Sequence, residues 1–208
     1  MVGKVRPSTE RPQQNWPCNG RADRETIGTM AERLTRRDLF GMFRKSLRGA
    51  AADGLPLRPP GAIAEDLIAD SCTRCGACID ICPRRAIRAI PRGHAAGVGT
   101  PFIIPREAPC VMCSGLLCTT VCPSGTLRPL ADPQQMRIGR AIINRSSCLP
   151  YQGTVCNACH SFCPVPGAIQ VDERGRPSIT DACTGCGLCE HYCPPEPTAI
   201  HIRPKGLS

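Results

Sequence analysis

Sixteen of the 17 cysteines in this 208-residue chain stand in four groups of four. Cys72, Cys75, Cys78 and Cys82 lie in CTRCGACIDICP, and Cys110, Cys113, Cys118 and Cys122 in CVMCSGLLCTTVCP. Cys148, Cys156, Cys159 and Cys163 lie in CLPYQGTVCNACHSFCP, and Cys183, Cys186, Cys189 and Cys193 in CTGCGLCEHYCP. Every group closes on C-x-x-x-C-P, and a short apolar step follows each proline: AI, TL, AI and AI. Thiolates at this spacing suit a [4Fe–4S] cube, which needs four soft ligands around one compact object. C-x-x-C-x-x-C in a tight loop supplies three of them. The fourth, three residues on, points away and serves the other cluster of a two-cluster unit. The proline then turns the chain out of the site, having a fixed φ and no N–H. Small residues such as Gly76, Ala77, Gly185 and Gly187 let the backbone lie against the cube and direct N–H groups at its sulfurs.

Three other chemistries compete for these cysteines. Zinc takes two C-x-x-C pairs across a longer loop, which explains neither the third cysteine nor the closing C-P. Cys156-Asn-Ala-Cys159-His160 also fits the C-x-x-C-H attachment of a c-type haem. That reading would strand Cys148 and Cys163 and break the fourfold pattern, so His160 is expected to be an ordinary neighbour of a cluster. A disulfide scaffold suits short secreted chains, and no usable secretory signal is evident here.

The elements holding these loops must be short. With 22 prolines, 20 glycines and only seven aromatic residues (four Phe, two Tyr and one Trp), a large apolar core is excluded. The expected fold is α+β, with two bacterial 2[4Fe–4S] ferredoxin-like units of short strands and helices. A basic, partly helical extension precedes them. We place the extension at residues 1–61 and the body at 62–208. Groups one and four are regular, whereas groups two and three carry longer gaps. Matching like with like predicts an outer unit from 62–99 plus 177–208 and an inner unit from 100–176. Exchange of the fourth cysteine then predicts four sets. They are Cys72, Cys75, Cys78 with Cys193; Cys183, Cys186, Cys189 with Cys82; Cys110, Cys113, Cys118 with Cys163; and Cys148, Cys156, Cys159 with Cys122. The alternative pairs neighbouring motifs, one with two and three with four.

From Thr100 onward the chain resembles the NapG/MauM family of ferredoxin-type proteins. The resemblance rests on TPFIIPREAPCVMC, CPSGTL, CLPYQGTVCNAC and DACTGCGLCE. The stretch TRRDLFGMFRKSL…LRPPGAI before CTRCGAC resembles the start of a NapF-type ferredoxin. The resemblance implies paired ferredoxin folds, the outer-with-outer pairing, and electron transfer around a molybdoenzyme or quinol-linked system.

Arg36-Arg37 in TRRDLF matches part of a twin-arginine export signal, but Arg44, Lys45 and Arg48 interrupt the apolar stretch that should follow. Residues 30–49 are therefore expected to form a basic helix that packs on the body or docks a partner. Residues 1–30 are expected to be disordered, and Cys18 to be a free thiol in that tail. The placement expected is cytoplasmic, or periplasmic if Arg36-Arg37 acts as a signal. No apolar run is long enough to span a bilayer. The formal charge of +9 counts each cysteine as neutral. Each oxidised four-thiolate site contributes about −2, so the loaded protein is near neutral and its basic pI argues little for nucleic acid. The function expected is a relay through four [4Fe–4S] clusters to a redox partner or molybdoenzyme, with no catalytic site of its own. A cytoplasmic assembly factor for a molybdoenzyme, or a permanently docked subunit, are the competing roles. The histidines at 94, 160, 191 and 201 form no evident site.

Overall fold

The structure, a computed structural model, describes residues 55–93 and 97–206. The expected basic helix, Cys18, His94 and Arg36-Arg37 lie outside the described residues.

Each cysteine group builds the same small piece of structure. The third cysteine sits second in a four-residue helix: Cys78 in α2 (Ala77–Asp80), Cys118 in α3 (Leu117–Thr120), Cys159 in α4 (Ala158–Ser161) and Cys189 in α5 (Leu188–His191). α1 (Glu65–Ser71) precedes them and delivers Cys72 as its C-cap. The closing C-P ends each short helix because proline cannot continue it. The chain then turns into the apolar step, and all four steps are buried: Ala86-Ile87, Thr126-Leu127, Ala168-Ile169 and Ala199-Ile200. The repeat thus couples a ligand loop to a core-forming residue pair.

Three of those steps open a strand or lead into one. β1 (Ile87–Ala89) pairs antiparallel with β2 (Pro101–Ile103), matching Ile87 to Ile103. β4 (Ile169–Val171) pairs with β5 (Pro177–Ile179) across a turn in which Asp172 accepts the N–H groups of Arg174 and Arg176. β3 (Gly139–Ile143) pairs with β6 (Ile200–Pro204), from Gly139 opposite Pro204 to Ile143 opposite Ile200. The fourth step, at Leu127, makes a bridge with Ala62. Arg58, which is buried, ties the first segment down: it donates to both Glu65 carboxylate oxygens, to Thr100 Oγ1 and to the Pro101 carbonyl.

These pairings build two α+β halves in chain order, with motifs one and two in the first and motifs three and four in the second. Each of the three strand pairs joins a segment assigned to the outer unit with a segment assigned to the inner one. The irregular gaps carry no pairing information. The extra residues between Cys113 and Cys118 form a 3-10 turn, Ser114–Leu116, and those after Cys148 form another, Leu149–Gln152. Both are absorbed locally. Motifs adjacent in the chain also close the shorter loop, which costs less conformational entropy.

The cores are small. Leu57, Ile87, Ile103, Leu116, Leu127, Met136 and Ile138 form one, with Cys118 and Cys186. Ala141, Ile169, Ala199 and Ile200 form a second, with Cys148, Cys159, Cys189 and Cys193. Met136 is fully buried, so Met136→Ala leaves a cavity and is expected to cost about 3 kcal/mol. A lowered midpoint in anaerobic thermal unfolding, at matched scan rate and full metal content, checks this. An unchanged midpoint would show that the segment between the halves contributes little.

Candidate metal centres

The cysteine loops are shaped by backbone that few residues accept. Between the first and second cysteines, Arg74, Met112 and Gly185 all have positive φ, at 58°, 52° and 77°. Turning the chain left-handed there lets the two cysteines approach one object from the same side. For Arg74 the strained turn is braced by its own guanidinium, which donates to the carbonyls of Ala69, Cys72 and Val98.

Four cavities result, each with a quartet of cysteines in its wall. Cys72, Cys75, Cys78 and Cys122 line one of about 490 Å³. Cys110, Cys113, Cys118 and Cys82 line one of about 370 Å³. Cys148, Cys156, Cys159 and Cys193 line one of about 300 Å³, and Cys183, Cys186, Cys189 and Cys163 one of about 320 Å³. All sixteen cysteines named from the sequence line these cavities, and each wall takes three from one motif and one from its neighbour. Cys122, where the sequence pointed to Cys193, stands with Cys72, Cys75 and Cys78. Cys82 joins motif two, Cys193 motif three and Cys163 motif four.

The electrostatics follow the same grouping. Burial pushes the Cys78 thiol up to about 11, and Cys72, Cys122 and Cys75 add to it. Burial takes Cys159 to about 11, with Cys148, Cys156 and Cys193 adding. It raises Cys118 to about 12, helped by Cys113, Cys82 and Cys78. Cys110 and Cys189 are pushed up by burial as well. Thiolates crowded this way oppose one another, and a cationic core at their centre reverses that cost. Cys122 goes the other way: burial would raise it, but the Leu127 N–H and the Ser124 hydroxyl, among others, lower it on balance. The Leu127 N–H lies 3.4 Å from Cys122 Sγ, and the Ala86 N–H 3.3 Å from Cys82 Sγ. In both motifs the proline turn brings a core-step N–H back onto the fourth sulfur.

All sixteen described cysteines are free thiols. Among the described residues no three or more His, Cys, Asp or Glu converge closely enough for a single metal ion. The quartets surround a volume instead, of a kind a cluster would fill. His160 stands in α4 next to Cys159.

Two residues near the site carried no sequence signal. Arg106 donates to the carbonyls of Glu190, His191 and Cys193 at 3.0, 2.9 and 2.9 Å and pairs with Glu196. His191 Nδ1 in turn meets the Arg106 carbonyl at 2.9 Å. Glu190, buried beside Cys189, accepts the Ile202 N–H, and burial raises its carboxyl to about 7. Arg106 depends on contacts between segments far apart in the chain, which spacing does not encode.

A model of a 4Fe–4S dicluster domain matches residues 71–126, and a model of a 4Fe–4S binding domain matches residues 180–197. The chain is 39% identical over 167 residues to the methylamine utilization ferredoxin-type protein MauM of Methylorubrum extorquens, covering 75% of this chain and 76% of that protein. It is 38% identical over 173 residues to the ferredoxin-type protein NapG of Escherichia coli, covering 76% and 75%. The chain belongs to the NapG/MauM ferredoxin-type family. To the ferredoxin-type protein NapF of Escherichia coli it is 32% identical over 163 residues. As a NapG/MauM ferredoxin-type protein it carries [4Fe–4S] domains of short helices and strands. Among the described residues no helix is long and apolar enough to cross a membrane.

Proposed function

We propose that this NapG/MauM-type protein holds four [4Fe–4S] clusters and relays electrons between partner oxidoreductases without a catalytic site of its own. The observation carrying this is that each of the four cavities has a full quartet of thiols. The ligand sets are Cys72, Cys75, Cys78 and Cys122; Cys110, Cys113, Cys118 and Cys82; Cys183, Cys186, Cys189 and Cys163; and Cys148, Cys156, Cys159 and Cys193. A bound cluster supplies one-electron chemistry at a potential set by its surroundings. With four protein thiolates at each site, no iron is left open for a substrate.

The chain's own residues do the rest. The N–H groups of Ala86 and Leu127 and the Ser124 hydroxyl at Cys122 Sγ withdraw charge from the fourth ligands. Buried apolar steps keep water off the sulfurs, and both effects tune potential. The partner is a redox protein of the kind that the family serves, a molybdoenzyme or a quinol-linked system. The relay is favoured over an assembly role because the NapG and MauM relatives are more similar than the NapF one.

Anaerobically purified protein is expected to contain about sixteen iron and sixteen acid-labile sulfide atoms per chain, four of each per cube. Its broad absorption near 400 nm should bleach with a low-potential reductant. Zinc in place of iron, or sharp haem bands, would overturn the proposal.

A further inference from the structure

The four cysteine quartets meet at particular points, and the pattern of those meetings is informative. Within the first half, α2, which carries Cys78 of motif one, packs against α3, which carries Cys118 of motif two, and Cys118 shares a core with Cys78 and Cys82. Within the second half, α4, which carries Cys159 of motif three, packs against α5, which carries Cys189 of motif four, and the two cysteines share one core. Between the halves, the Cys110 N–H donates to the Cys186 carbonyl at 3.0 Å, and both cysteines pack at the same core. Among the described residues, Cys186 is the one cysteine of the second half that packs into the core of the first. The remaining second-half cysteines of the buried clusters pack among themselves.

Resting on the four-cluster reading above, we infer that the quartets stand in a single row ordered motif one, motif two, motif four, motif three. The Cys110–Cys186 contact is the joint, and the motif-one and motif-three quartets are the two ends that exchange electrons with partners. The spatial order thus differs from the order in the chain. The joint is held from both sides. Arg106, on the first half, grips three carbonyls at the end of α5. Pro105 lies where a Cβ on Gly187 would meet its own Cβ at 2.5 Å, so the motif-four loop sits directly on the first half.

At the motif-one end Cys75 is exposed, the one cysteine of the sixteen in that class. At the motif-three end Cys148, Cys159 and Cys193 are buried and Cys156 is half-buried, next in the chain to Val155, which is 99% exposed. One electron leaves a reduced one-electron donor docked at one end and reaches an oxidised acceptor at the other. The chain returns to its starting state.

Pulsed dipolar EPR on the fully reduced full-length holoprotein tests the order, with Cys75→Ser and Cys156→Ser used to mark the end signals. Each marked cluster is expected to couple strongly to one neighbour, and the two marked clusters to show the weakest coupling of any pair. A marked cluster with two close neighbours, or direct coupling between the marked pair, would overturn the row. If a serine variant loses its cluster, the other three should still form an unbroken row with two couplings, and a gap among them would overturn it equally. Fewer than four clusters in the unmodified protein would sink the four-cluster reading itself. Four clusters coupled in another pattern would sink the order alone.

Discussion

Stripping iron from the anaerobic holoprotein is expected to unfold residues 70 to 204, with loss of both the cooperative thermal transition and slow amide exchange. The two main cores hold few large side chains, and cysteines make up part of each. The strands are three to five residues long and stand in two-stranded sheets, a size that is marginal in water without further support. The four-residue helices are below the length at which a helix persists by itself. Binding of metal by thiolates contributes on the order of 10 kcal/mol in structural sites where it has been separated out. Removing it from each quartet takes away more than the remaining apolar contacts supply. Circular dichroism and hydrogen exchange before and after chelation under oxidising conditions would read this directly. A metal-free chain that still unfolds cooperatively would show that the apolar cores suffice.

The second large effect is expected from Gly185→Ala. Gly185 lies between the first two cysteines of motif four at φ 77°, where a side chain is strained by about 1–2 kcal/mol. A Cβ there would also lie 2.5 Å from the backbone C and N of Gly139, at the start of β3. Neither partner is a flexible side chain that can step aside. The Ile138 N–H, which donates to the Thr184 carbonyl at 3.1 Å, would be displaced with it. The loss should exceed about 3 kcal/mol once overpacking is added, and it falls on the motif-four quartet first. The variant is expected to purify with iron reduced by at least one cluster's worth. Full iron content together with an unchanged melting temperature would refute the close approach. Gly153, also left-handed at φ 85° but facing open space, is the control. Gly153→Ala should keep its iron and pay only the backbone strain.

What could be read from the chain was the chemistry of each loop. Cys78, Cys118, Cys159 and Cys189 fall at equivalent helix positions because C-x-x-C-x-x-x-C-P is a local instruction, as are the buried steps after each proline. What could not be read was which loop faces which. Regularity of spacing suggested that motifs one and four belong together. The extra residues of motifs two and three are ordinary 3-10 turns, and pairing is decided by strands such as Ile87 opposite Ile103, whose partners are chosen by chain proximity and core fit. Arg106 was illegible for a related reason. Its meaning lies in three carbonyls more than 80 residues away.

With the proposed ligand sets, the swapped fourth cysteine also sets a timetable for biosynthesis. As the chain leaves the ribosome, the loop ending at Cys78 remains one ligand short until Cys122 emerges, and Cys82 has no site until motif two follows it. The same holds for the loop ending at Cys159, which waits for Cys193. The two quartets of a half therefore fill in quick succession, at Cys118 and then Cys122, and later at Cys189 and then Cys193. A chain interrupted near residue 130 would already hold every thiol of the first pair.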